Sequence, residues 1–304
     1  MGTPNFAVRI LAGILESGKH EVLGVITQPD KPQGRKGILT PSPVKEYALA
    51  QGLTLYQPQK VKTDDFLPVL QNLAPDVIVV AAYGQILNEA ILTLPKYGCI
   101  NVHGSLLPKY RGAAPVQYAV WNGDKESGVT VMQMDKGMDT GAMLSKAVVP
   151  IPENMTGGEL MDALAGAGSV ALVEMLDSLA AGTAQAVPQN EAEATYTHLI
   201  KREMEVLDWQ DTAEHLHNKI RAFNPEPGNY THLPNGKMLK IWKSKLANGT
   251  GEAGVILNAD KKGLVVACGR GAIEILELQP EGKKKMEAKV FLNSGALKVG
   301  DKLL

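Results

Sequence analysis

The most constraining stretch of this chain is Asp76-Val77-Ile78-Val79-Val80-Ala81-Ala82, which is apolar at six successive positions. A strand that is apolar on both faces is stable only where both faces are covered, as in a parallel sheet flanked by helices. The surrounding residues repeat that theme. Val22-Leu23-Gly24-Val25-Ile26 reads as a buried strand ending at Thr27-Gln28-Pro29, and Cys99-Ile100-Asn101-Val102-His103 as a further short strand. Between them lie two helix-like segments. Residues 43–52 carry Ser42 as N-cap, Pro43 in the first turn and Gly52 past the end; residues 64–73 carry Thr63 as N-cap. Strand–helix–strand alternation predicts a Rossmann-like, mostly parallel α/β sheet, in which ligands bind at the carboxyl ends of the strands.

Residues 129–134 and 143–151 read as two more strands, and the Ala/Leu-rich residues 156–181 as a long helix stopped by Gly182. The pattern then changes. Residues 183–201 are polar and mixed and read as a linker. After a helix at about 211–223, short strand-like runs at 238–242, 254–257, 264–267 and 272–278 are divided by Gly- and Asn-rich turns. Such spacing predicts a small β-barrel of OB-like type. The expected organisation is an α/β domain over residues 1–182, a linker over 183–201 and a β-barrel domain over 202–304. Two domains also suit 304 residues, at roughly 150 residues each.

Composition narrows the function. The net charge of −1 excludes a chain-wide basic surface. Its distribution is uneven: residues 1–201 hold 15 Lys and Arg against 19 Asp and Glu, whereas residues 202–304 hold 16 against 13. That asymmetry points the C-terminal part toward an anion, although scatter gives the same numbers. No window approaches 18 uninterrupted apolar residues, so no membrane span is expected. The N-terminus lacks the charged and apolar regions of a signal peptide. Cys99 and Cys268 are the only cysteines and lie far apart, so the expectation is two buried thiols, no disulfide, no metal site and a cytoplasmic location.

The densest chemistry lies in Asn101-Val102-His103-Gly104-Ser105-Leu106-Leu107-Pro108-Lys109-Tyr110-Arg111-Gly112. Residues i and i+2 of a strand share a face, so Asn101 and His103 project together at a strand's carboxyl end. A neutral amide donor beside a group that titrates near neutrality suits a reaction that forms an oxyanion and moves a proton. The alternative is a histidine that ties down a turn. A carboxylate is needed to orient the imidazole. Asp139, between Gly137 and Gly141, and Asp135 both qualify, and nothing in the sequence alone sets either beside His103. Residues 31–45 carry Lys31, Arg35, Lys36 and Lys45 and no acid, and Arg35-Lys36 stands between two glycines as a cationic tip suited to phosphates. A solvated surface loop would look the same.

Taken together, these residues resemble the folate-dependent formyltransferase superfamily, most closely the branch acting on methionyl initiator tRNA. The resemblance runs through Gly2-Thr3-Pro4, Gln28-Pro29-Asp30, Ala82-Tyr83-Gly84, Asn101-Val102-His103-Gly104-Ser105-Leu106-Leu107-Pro108, Arg111-Gly112-Ala113-Ala114-Pro115, Met132-Gln133-Met134-Asp135 and Arg221-Ala222-Phe223-Asn224-Pro225. It implies transfer of the formyl group of 10-formyltetrahydrofolate to the α-amine of methionine on initiator tRNA, in support of translation initiation. It implies Asn101, His103 and Asp139 as the catalytic trio, with no metal. Folate would lie against Ser105, Leu106, Leu107 and Pro108 and against Tyr83, Gly84 and Ile86. Arg35, with Lys36 and Lys31, would reach the tRNA acceptor end, and the C-terminal domain would hold the acceptor arm through phosphates. A monomer is expected.

Two departures stand out. The resemblance places a β-strand immediately before Gly2-Thr3-Pro4, whereas the chain begins at Met1. The expectation is a sheet one strand short, with Met1 an internal methionine of a longer chain. Where the superfamily branch carries Asn-Pro-Trp-Pro, this chain has Asn224-Pro225-Glu226-Pro227, an acid in place of an aromatic. Two other functions remain open: a formyltransferase acting on an aminosugar nucleotide, and an inactive RNA-binding module. The basic loop and the β-rich C-terminal region favour tRNA over the first, and the intact trio speaks against the second.

Overall fold

A computed structural model describes residues 1–33, 37–63 and 65–304, apart from the Gln33 side chain. In chain order the first half contains α1 (Asn5–Ser17), β1 (Val25–Ile26), β2 (Lys31–Gln33), β3 (Ile38–Thr40), α2 (Pro43–Ala50), β4 (Leu55–Tyr56), α3 (Leu67–Leu73), β5 (Ile78–Val80), α4 (Glu89–Leu92), β6 (Cys99–His103), β7 (Arg111–Gly112), α5 (Pro115–Trp121), β8 (Glu126–Gln133), β9 (Met143–Pro150) and α6 (Gly157–Ala180). The second contains β10 (Tyr196–Thr197), α7 (Ala213–Ala222), β11 (Asn229–His232), β12 (Met238–Ala247), β13 (Ile256–Asp260), β14 (Gly263–Ala267), β15 (Ala272–Pro280), β16 (Met286–Glu287) and α8 (Ala288–Leu292). The chain divides into two units that interleave along the sequence. One comprises Met1–Gly112, Ser127–Val149 and Met161–Tyr196; the other comprises Ala113–Glu126, Pro150–Leu160 and Thr197–Leu304.

The first unit holds a four-stranded sheet in the order β5-β6-β8-β9 and a parallel pair β1-β4. β5 runs parallel to β6, while β8 enters antiparallel, so the sheet is more mixed than the alternation predicted. Met1 and Gly2 stand between β1 and β5. The Gly2 N–H donates to the Ile26 carbonyl, Gly2 bridges Ala81 in parallel, and the Met1 amine donates to the Val79 carbonyl at 2.6 Å. Beside this two-residue link opens a cavity of about 390 Å³, lined by Met1, Ile10, Ile14, Val25, Ile78 and Leu176 among others. Burial pushes the Met1 amine down to about 6.

Local signals account for most elements. Ser42 accepts from the Lys45 N–H and caps α2, with Pro43 in the first turn, as the sequence predicts. α3 starts at Leu67 rather than 64, because Thr63 is used in a turn, donating to the Lys60 carbonyl. α6 has 24 residues and a mean hydropathy of 1.4, so among the described helices it is long and apolar enough to cross a membrane, against the expectation that no segment would be. Its Leu164, Leu172 and Leu176 are buried, and Gly168 lets its backbone approach Val102 and Val129 of the sheet. Both cysteines are buried and free.

The second unit is built on one antiparallel sheet, β11-β12-β15-β14-β13, with β16 paired to β15. Leu239, Ile241, Leu264, Val266, Ile273 and Ile275 pack there with Leu216 and Ile220 of α7 and Phe291 of α8.

Candidate active site

β6 lies between β5 and β8, and its last residues carry the chemistry. Val80 pairs with Asn101, and His103 pairs with Thr130 of β8. The two-residue period puts the Asn101 and His103 side chains on one face at the strand's carboxyl end. No described residue hydrogen-bonds the half-buried Asn101 carboxamide. His103 is buried. Its Nε2 lies 2.9 Å from the Tyr110 carbonyl, which only accepts, so Nε2 carries a proton. Its Nδ1 faces Asp139 Oδ2 at 3.6 Å, an ion-pair distance rather than a hydrogen bond. A ring protonated at both nitrogens therefore meets an acceptor on each side.

Of the two candidate carboxylates, Asp139 is the one beside His103. Asp135 instead closes its own turn, accepting from the Gly137 N–H and the Thr140 hydroxyl. Asp139 Oδ2 accepts from the Gly112 N–H at 2.8 Å, and the Asp139 backbone is left-handed at φ 56°. Gly141 is needed two residues on, because a Cβ there would lie 1.8 Å from the Gln133 carbonyl oxygen.

The segment after His103 is tied down by its own hydrogen bonds. The Ser105 hydroxyl donates to the Lys109 carbonyl, the Thr130 hydroxyl donates to the Ser105 carbonyl, and the Leu107 N–H donates to Thr130 Oγ1. Of the residues expected to line the folate site, Ser105, Leu107, Pro108 and Tyr83 are buried in the protein and support the loop from inside. Leu106 is half-buried, and Gly84 and Ile86 are exposed, Ile86 at 81%. The Tyr83 carbonyl accepts from Thr3 and from Gln28, joining loops at the ends of three strand positions. Burial pushes the Tyr83 phenol up to about 12.

Lys31 is exposed on the β2–β3 hairpin; Arg35 and Lys36 lie outside the described residues. Lys45 pairs with Asp30 at 2.7 Å, and that hydrogen bond holds the Asp30 carboxyl below its usual range. Among the described residues no three His, Cys, Asp or Glu side chains cluster to hold a metal.

Sequence reasoning missed the segment 189–197, which it read as linker. Thr195 accepts from the Arg111 and Tyr110 backbones, and Gln189 contacts the Asp139 loop. The Arg111 side chain is fully buried and is held by Glu191, which raises its pKa above the usual arginine value. A buried arginine needs an acidic partner, but no periodicity says which acid supplies it.

Residues 1–176 match the family model for formyl transferase, and residues 199–296 match that for the formyl transferase C-terminal domain. The chain is 47% identical over 306 residues to a methionyl-tRNA formyltransferase of Bacillus subtilis (strain 168), covering 100% of this chain and 96% of that one. It is 47% identical over 294 residues to the methionyl-tRNA formyltransferase of Agathobacter rectalis, covering 96% and 94%. Its fold is similar to the solved N-formyltransferase of Helicobacter canadensis, with a TM-score of 0.62 at 22% identity, over 94% of this chain and 97% of that one. With both halves matched and two near-full-length relatives, the chain belongs to the formyl transferase family.

Proposed function

We propose that this chain transfers the formyl group of 10-formyltetrahydrofolate to the α-amine of methionine on initiator tRNA. The observation that carries the reading is the constellation at the end of β6: Asn101 and His103 on one face, with Asp139 3.6 Å from the imidazole. The 47% identical relatives carry the acceptor's identity.

The amine attacks the formyl carbon, forming a C–N bond and a tetrahedral oxyanion. The Asn101 carboxamide donates a hydrogen bond to that oxyanion, and His103 offers it the Nδ1 proton, which the 3.6 Å separation from Asp139 leaves without a hydrogen bond of its own. The amine's proton passes through His103 to the folate nitrogen, which leaves as its bond to the formyl carbon breaks. Asp139 holds the ring in orientation and pairs with its charge. No covalent intermediate with the protein is required. The folate lies against Leu106, Gly84 and Ile86, with Ser105, Leu107, Pro108 and Tyr83 behind them.

In the second unit Lys240 and Lys285 approach the Trp242 ring at 5.2 and 5.5 Å, and Lys243 is exposed on the same strand. Cations around an aromatic ring suit a phosphate backbone with a stacked base. Trp242 also lies against Gly228 and accepts from Asn224, so an aromatic ring borders the turn where Glu226 replaces the usual one. The enzyme works as a monomer in the cytoplasm. Purified protein given 10-formyltetrahydrofolate and methionyl initiator tRNA forms formylmethionyl-tRNA. Transfer only to an aminosugar nucleotide would overturn the reading.

A further inference from the structure

Gln189 uses its whole carboxamide. Its Nε2 donates to the Asp139 carbonyl at 2.7 Å and to the Gly141 carbonyl at 2.8 Å. Its Oε1 accepts from Arg111 Nε at 3.0 Å and Nη2 at 2.9 Å. Glu191 holds the outer edge of the same guanidinium, with Nη1 and Nη2 donating to its two oxygens at 2.8 and 2.7 Å. The residue after Arg111 closes the circuit, because the Gly112 N–H donates to Asp139 Oδ2. Asp139 is thus held at its carbonyl by Gln189 and at its carboxylate by Gly112, and those two holds meet in Arg111.

The circuit matters because Asp139 has φ 56°, a conformation that residues with a Cβ adopt at a cost. Without a restraint on its carbonyl the loop would relax toward ordinary φ and swing the carboxylate away from His103. We propose that Gln189 is a positioning residue for formyl transfer: it locks the Asp139 backbone in the left-handed conformation that aims the carboxylate at His103 Nδ1. This rests on reading Asn101, His103 and Asp139 as the catalytic trio. It also gives the segment between the two family domains a task in the reaction.

Gln189→Glu separates positioning from simple bracing. It keeps an acceptor for Arg111 and adds a charge that pairs with the guanidinium, but it replaces both donors with oxygens facing two carbonyls. Gln189→Ala removes both functions, and Asp139→Asn reports on the trio itself. Steady-state formyl transfer by the full chain is measured with kcat and KM separated, alongside thermal unfolding and hydrogen exchange of the Gly112 amide. We expect Gln189→Glu and Gln189→Ala to lower kcat by roughly 10- to 100-fold, the scale of an ångström-sized misplacement of a catalytic group. KM for donor and acceptor stays unchanged, the Gly112 amide exchanges faster, and Gln189→Glu melts near the wild-type temperature. Wild-type kcat in Gln189→Glu, with Asp139→Asn slow, would overturn the positioning role alone. Wild-type kcat in Asp139→Asn would overturn the reading of the trio and the proposal with it.

Discussion

Replacing Asp139 by Asn removes one charge and little else. The side chain keeps its shape, and an amide oxygen can still accept from the Gly112 N–H, now at 2.8 Å. What is lost is the attraction between a carboxylate and a protonated His103 at 3.6 Å. Both side chains are largely buried, at 8% and 19% exposure, so an effective dielectric of about 20 applies rather than that of water. Coulomb's law then gives about 4–5 kcal/mol for the pair. The Asn dipole returns part of this, leaving a loss of about 3 kcal/mol, or between about 10² and 10³ in kcat. The assay is steady-state formylation of methionyl initiator tRNA with donor and acceptor varied in turn. The expected result is a fall in kcat of that size with both KM values unchanged and thermal unfolding within a few degrees of wild type. A fall of less than tenfold, or a change confined to KM, would refute the claim that Asp139 acts through the His103 charge.

Other perturbations probe different parts of the account. Gly141→Ala puts a methyl 1.8 Å from the Gln133 carbonyl oxygen, so backbone must move; a destabilisation of about 2 kcal/mol is expected in denaturant unfolding, together with slower turnover. The Met1 amine, lowered by burial from 8.0 to about 6, makes the unfolded chain the better proton binder between those values. Burying the charged amine therefore costs stability in full below about 6, and that cost fades as pH climbs from about 6 to 8, so stability rises over this window by a few kcal/mol at most. Titration of this amine near 8 in the folded protein, followed by NMR, would contradict its burial. Arg35→Ala is expected to weaken use of the tRNA while sparing folate binding; equal loss of both would assign the loop a structural role.

Much of this arrangement was legible because it is local. The strand Cys99–His103 has the bounds that its apolar flanks imply, and the two-residue period alone pairs Asn101 with His103. The capped start of α2 at Ser42-Pro43 is equally local. The choice between Asp135 and Asp139 was not legible, because it depends on a contact across 36 residues, between His103 and the loop after β8. Gln189 was harder still. It meets Asp139 from 50 residues away and Arg111 from 78, inside a stretch with no helical or strand period. The antiparallel pairing of β2 with β3 is not legible either, because it is only three residues long and includes Pro32, which argues against a strand. The antiparallel entry of β8 is also a property of topology, since a strand's own residues carry no mark of its neighbour's direction.

The central claim is that the face presented by Asn101 and His103 moves a formyl group onto an aminoacyl-tRNA. A single-turnover experiment tests it most directly, with 10-formyltetrahydrofolate labelled in its formyl carbon, excess enzyme, and methionyl initiator tRNA and an aminosugar nucleotide present together. The account predicts that the label appears on the methionyl-tRNA, and that Asn101→Ala and His103→Ala each abolish its appearance while the protein stays folded. Label on the sugar, or undiminished transfer by either variant, would contradict it.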